Sequence, residues 1–169
     1  MTASTTHNTS VSKSAKAAVL IQRRVCQLLF IISETNPVLS VTLLRCTPQL
    51  VEKLSRCLTQ THDKRLLWAA CGILWHLADS SEAGTRALLK ARAVPRLIRI
   101  LLTYPEQWHV VVMVAGVVEA MTWTLDDYAL QQLGRCSMLL DTLGMAWYRY
   151  QDIPLIADST MAILSRIHH

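Results

Sequence analysis

The chain has 169 residues, 51% of them hydrophobic and 17% charged, with a formal net charge of +5. That is one domain by length, long enough to bury a sizeable core. The positive charge is too modest for a dedicated nucleic-acid binder, and so small a charged share leaves surface to be covered by the chain's own packing or by a partner.

No apolar run approaches the roughly 20 residues of a membrane span. The longest, Val110–Val118, ends at Glu119. The N-terminus lacks the apolar stretch of a secretory signal. Its Ser/Thr content and late first acid, Glu34, resemble a mitochondrial presequence, but only Lys13, Lys16, Arg23 and Arg24 supply positive charge and the polar stretch is not amphipathic. The cysteines are Cys26, Cys46, Cys57, Cys71 and Cys136, an odd number with no C-x-x-C pair. They read as reduced thiols, which points to the cytoplasm.

Residues 1–14 form a Ser/Thr-rich tail with little to bury, expected to be disordered, and residues 15–169 form the folded domain. From Ala15 the apolar period is helical. Val19, Arg23, Cys26 and Phe30 share a stripe, and Leu20, Leu28, Leu29, Ile31 and Ile32 make the helix apolar nearly all round. Such a helix is expected to be buried. Asn36-Pro37 ends it. A short helical piece from Pro37 to Arg45 then leads to Arg45-Cys46-Thr47-Pro48-Gln49-Leu50, which opens a helix with Leu50, Val51, Leu54 and Leu58 on one face. The long apolar helix Leu66–Ala78 follows.

The plan then repeats. A short piece, Glu82 to Ala91, leads to Arg92-Ala93-Val94-Pro95-Arg96-Leu97, forty-seven residues after its counterpart, with Leu97, Ile98, Leu101 and Leu102 on one face. Both prolines are placed in a first helical turn, where the missing N–H costs little. The second long helix is His109–Leu125. Its run Val110–Val118 has strand composition, but the length and the spacing of Val110, Val114, Val117 and Met121 predict a helix. Asp126-Asp127 reads as a helix cap. Asp127 to Gly134 is the next short piece. Arg135-Cys136-Ser137-Met138-Leu139-Leu140, continuing to Leu143, is a weaker third copy without the proline, and Pro154–Ile167 is the last long helix.

The unit is therefore short, medium and long helix with a period of about 43–47 residues. One unit cannot bury its own apolar faces, so units must stack. Ala69-Ala70-Cys71-Gly72 and Ala115-Gly116 put small residues mid-way along the long helices, where neighbours can close in.

Ala93-Val94-Pro95-Arg96-Leu97-Ile98 and Ala69-Ala70-Cys71-Gly72-Ile73-Leu74-Trp75-His76-Leu77-Ala78 resemble the medium and long helices of armadillo/HEAT-like repeats. The resemblance covers about 150 residues. It implies an all-α fold, a short armadillo-like right-handed α-solenoid of about three to three and a half repeats, whose long helices line a concave groove. It also implies a non-catalytic protein–protein interaction scaffold, a subunit of a larger assembly of cytoskeletal or ciliary type. The alternative is a reversible peptide-binding adaptor or chaperone-like module. The asparagines with which peptide-binding members grip a ligand backbone are replaced here by His76, Thr124 and Ser165, and the tryptophans of nuclear-import adaptors would fall near Gly72. Basic peptides are therefore not the expected ligand.

On this reading the expected contacts are Trp75, His76, Trp123 and Thr124 in the groove, with core packing as the other reading of the tryptophans. Arg92, Arg96 and Arg99, at i, i+4 and i+7 in a stretch without acids between Glu82 and Glu106, read either as a solvated face or as a strip that steers an acidic segment of a protein partner. No catalytic, phosphate-binding or metal-ligand motif is present, so no cofactor, metal or small-molecule substrate is expected. Finally, Ala17-Ala18-Val19-Leu20-Ile21-Gln22-Arg23-Arg24 resembles the start of a calmodulin-binding IQ motif, but Cys26-Gln27 stands where that motif continues with Arg-Gly.

Overall fold

The computed structural model describes residues 5–124 and 127–167. Among them are ten helices and no strand. These are α1 (Thr5–Thr35), α2 (Pro37–Cys46), α3 (Leu50–Gln60), α4 (Lys64–Ser80), α5 (Glu82–Lys90), α6 (Ala93–Thr103), α7 (Trp108–Thr124), α8 (Asp127–Gly134), α9 (Ser137–Arg149) and α10 (Pro154–Ile167). The expected all-helical architecture is found, including α7 across the valine run. Residues 1–4 of the expected tail, Leu125, Asp126, His168 and His169 lie outside the described residues. Helix α1 opens at Thr5, ahead of Ala15 where its apolar period begins.

Local chemistry sets several boundaries. The Asp63 carboxylate accepts the backbone N–H groups of Arg65 and Leu66 and so starts α4. The Ser81 hydroxyl accepts the N–H of Gly84 at the head of α5. Pro37, Pro95 and Pro154 all stand in first turns. Pro48 does not. It sits in the turn before α3, which begins at Leu50, so the two proline-marked openings differ by a residue or two in register. Between α5 and α6, Arg92 adopts the left-handed conformation with φ 51°, a turn more often given to glycine.

The packing follows a rule of three. Among the long helices α1 lies on α4, α4 on α7 and α7 on α10; among the medium ones α3 lies on α6 and α6 on α9. The helices so related are close in length as well as order. α4 and α7 have 17 residues each and start 44 apart, and α3 and α6 have 11 each and start 43 apart.

The layers lock through aromatic rings seated on glycines. A Cβ added at Gly72 would come within 2.4 Å of the Phe30 ring, and one at Gly116 within 2.7 Å of the Trp75 ring. Helices α1 and α4 thus each press a ring into the small-residue notch of the next long helix. At the α4–α5 corner the approach is tighter still, because a Cβ at Gly84 would lie 1.8 Å from the Leu77 carbonyl oxygen. Tyrosines just past α6 and α9 tie the loops together: the Tyr104 hydroxyl pairs with His62 Nδ1 at 3.3 Å, and the Tyr150 hydroxyl donates to the Pro105 carbonyl at 2.6 Å.

The core centres on α4 and α7, where Leu66, Leu67, Ile73, Leu74, Leu77, Val114, Val117, Val118 and Met121 are all fully buried. Each contributes on the order of 1.5–3 kcal/mol. Helix α1 departs from the buried helix expected of its composition. Cys26 and Phe30 are buried, but Leu20, Ile21, Val25, Leu28, Ile31 and Ile32 are exposed. Apart from α2, only α4 makes an extensive contact with α1, so α1 is covered on one side.

Candidate partner-binding surface

Trp75 and His76 end the aromatic part of α4. The Trp75 ring is half-buried and occupies the Gly116 notch, so it is part of the α4–α7 joint. His76 stacks with Phe30 at 5.5 Å between ring centroids and with Trp75 at 6.3 Å, and Phe30 meets Trp68 edge-on at 4.7 Å. These four rings join α1 to α4. Burial holds the His76 imidazole below its ordinary pKa, opposed by the carboxylates of Glu34 and Asp79.

Trp123 and Thr124 end α7 and have different surroundings. Trp123 is 60% exposed, and the Arg166 guanidinium of α10 lies 4.1 Å from its ring centre. Arg166 Nε also donates to the Thr122 carbonyl at 3.0 Å. One cation therefore satisfies the negative end of α7 and stacks on its last tryptophan. The Thr124 hydroxyl is held inward, 2.5 Å from that of Thr85 and 3.1 Å from the Ala120 carbonyl. Ser165, the third position matching the ligand-gripping asparagines, donates to Ala162 O in its own helix.

The arginines lie on the opening of α6. Arg92 and Arg99 are exposed, while Arg96 is half-buried and donates to the Ala91 carbonyl at 3.1 Å. Arg99 borders a shallow hollow with His62 and Tyr104 at the α3–α6 joint. The expected contact residues thus fall into three places: the ring cluster between α1 and α4, the Trp123–Arg166 stack at the end of α7, and the arginines of α6. Of the groove residues, Trp123 is the one whose side chain stands well clear of the core.

Arg23, within the stretch that resembles the start of an IQ motif, forms an ion pair with the α4-capping Asp63 at 3.2 Å, both about one-fifth exposed. Its guanidinium holds α1 to the head of α4. Burial pushes the thiol of Cys26 up to about 11 and that of Cys71 up to about 12, which suppresses thiolate chemistry at both. Among the described residues no group of three or more His, Cys, Asp and Glu side chains is placed to hold a metal ion, and no helix is long and apolar enough to cross a membrane.

Two features were missed in the sequence. One is the stacking of Arg166 on Trp123, which no local spacing signals because the residues lie 43 positions apart, on α10 and α7. The other is the bare side of α1 and α2, where Val38 and Val41 extend the exposed apolar residues of α1. Its signal was present: Ile21, Val25, Leu28 and Ile32 follow a 4-3-4 spacing along a second stripe, beside the one through Cys26 and Phe30. No family model, curated protein or solved structure matches the chain.

Proposed function

We propose that this chain is a short armadillo-like right-handed α-solenoid and acts as a non-catalytic scaffold for protein–protein interaction in a cytoplasmic, cytoskeletal or ciliary assembly. The observation that carries the reading is the rule-of-three packing of α1, α4, α7 and α10, with α3, α6 and α9 alongside. Packing of each helix on the third one along is what stacked three-helix repeats produce, and such stacks serve as extended binding surfaces. The contact side is the end of α7 and the opening of α6. Trp123 offers an exposed ring already oriented by Arg166, and Arg92 and Arg99 steer an acidic segment of the partner. Trp75, His76 and Thr124 support that side from within, by packing and hydrogen bonding. Arg92 fits this role because it keeps a left-handed turn that glycine would fill with less strain.

The test is site-specific photo-crosslinking in cells. A photoreactive residue at Trp123 or Arg99 should give one discrete protein adduct, while the same residue at Arg56, on exposed α3, gives none. Absence of adducts from both positions, with the chain folded, would sink the reading. Reversing the charge of Arg92 and Arg99 should slow formation of the adduct chiefly at low salt.

A further inference from the structure

We infer that the chain pairs with a second copy of itself through the outer side of α1 and α2. This inference goes beyond the scaffold reading and stands independently of it. The side in question is the one that α4 leaves uncovered. Along α1, Ile21 and Leu28 are 63% and 60% exposed, and Val25 and Ile32 complete a row spaced 4-3-4. Leu20 and Ile31 flank that row, and on α2, which packs against α1, Val38 and Val41 are exposed as well. Eight apolar side chains at about half exposure are on the order of the ~800 Å² that each partner contributes to a stable interface. Monomers rarely leave an apolar patch of that size bare.

The 4-3-4 spacing specifies another helix as the cover, because alternating steps of four and three residues keep one seam facing a partner helix. β-branched Val25 and Ile32 hold one set of alternate positions and Leu28 lies between them, as in a two-helix seam with knobs entering holes, while Ile21 is a β-branched residue at a position where such seams favour Leu. The rest of the surface favours an identical surface as its mate. Among the described side chains of α1, Arg24, beside Leu20 and Leu28, is the one charge set among the exposed apolar residues. Lys16 and Glu34 lie away from the row, and Arg45 ends α2. Such a side needs a partner that is equally apolar and equally long.

Helices α9 and α10 offer a more broken surface. On α10 the exposed Leu155 and Met161 are separated by Asp158, and on α9 Met138 and Met145 are separated by Asp141, with Trp147 and Tyr148 beyond. Head-to-tail stacking would set those six interrupted residues against eight on α1 and α2, in a heterologous contact. A two-fold contact of α1 with α1 covers like with like and ends at two copies.

The experiment is sedimentation velocity over a concentration series, with circular dichroism on every sample. It uses the full chain, an Ile21→Glu/Leu28→Glu variant and a Leu155→Glu/Met161→Glu variant. All four substitutions are at exposed helical positions, where Glu is a good helix former. The unmodified chain and the α10 variant should sediment as dimers. The α1 variant should be monomeric, with its dissociation constant raised at least a hundredfold and its helicity unchanged. A monomeric unmodified chain overturns the inference and assigns the surface to a different molecule. Loss of assembly in both variants, restored when the two are mixed, also overturns it, because that is the behaviour of head-to-tail stacking. A second measurement does not depend on the glutamates. In a Cys46→Ser background, Ile21→Cys, Val25→Cys and Leu28→Cys chains are mildly oxidised at low concentration. At least one should form a disulfide with its own copy, while Leu155→Cys should not. Failure of all three α1 positions to cross-link overturns the inference.

Discussion

Helices α1 and α7 each carry a long apolar stretch, and the two stretches have opposite fates. Both would be drawn as buried from composition alone, since apolar residues lie nearly all round each. Helix α7 has α4, α10, α6 and α5 around it, and Val110, Val114, Val117 and Met121 are buried. Helix α1 has α4 and α2, and the row Ile21, Val25, Leu28 and Ile32 stays exposed. Burial is therefore set by how many helices surround a given helix. An apolar stretch becomes core where neighbours lie all round it and stays exposed where they lie on one side.

The widest separation between the two kinds of helix is expected from side-chain truncation. Leu74→Ala, at the fully buried centre of α4, should cost about 2–5 kcal/mol, while Leu28→Ala on α1 should stay within about 0.5 kcal/mol. Urea denaturation of dilute, monomeric samples measures both. Comparable losses would place α1 inside a core, and the contrast would be gone.

A smaller effect of either sign comes from the glycines. Gly116→Ala forces the Trp75 ring out of its notch and should destabilise by about 1–3 kcal/mol. Gly144→Ala lies within α9, where an added Cβ meets nothing within 4 Å. It should raise stability by about 0.5–1 kcal/mol through helix propensity alone. Thermal melts of the two variants need only differ in sign to support the notch; two gains would remove it.

A milder perturbation is pH. His76 is held below its ordinary pKa by burial, so folded and unfolded chains both keep it neutral above about 6.5. As pH falls through 6.5 the unfolded chain takes up the proton first, and stability is lost down to the lower folded value. The His76→Gln variant should show a flatter profile between pH 6.5 and 5. An unchanged slope would mean that the ring joint of Phe30, Trp75 and His76 does not shield the imidazole.

The smallest disturbance is thiol labelling. Cys46 is exposed and should react with a thiol reagent within the mixing time, while buried Cys26 and Cys71 should wait for unfolding. Rapid labelling of Cys26 would show that α1 separates readily from α4.

Much of this was legible in the sequence. The helical period, the prolines at 37, 95 and 154 and the small residues at 72 and 116 marked the elements and the notches between them. What escaped was whatever depends on which neighbour is present. Trp75 and Trp123 look alike in sequence, each beside a polar residue late in a long helix. Gly116 stands opposite the first ring and takes it in, while the second meets Arg166 at the protein's edge. Thr124 was expected to face a ligand, yet Thr85, from another helix, holds its hydroxyl. The exposed side of α1 escaped because an all-round apolar pattern carries no mark of the side that will lack a neighbour.

Carbene footprinting of the dilute chain, read residue by residue, tests the contrast between end and centre most directly. Ile21, Val25 and Leu28 on α1 should be labelled heavily, while Leu67, Ile73 and Val117 on α4 and α7 should remain unlabelled until the chain unfolds. Equal labelling of the two sets, or protection of the α1 row in a monomer, would contradict a core that is closed around α4 and α7 and open along α1.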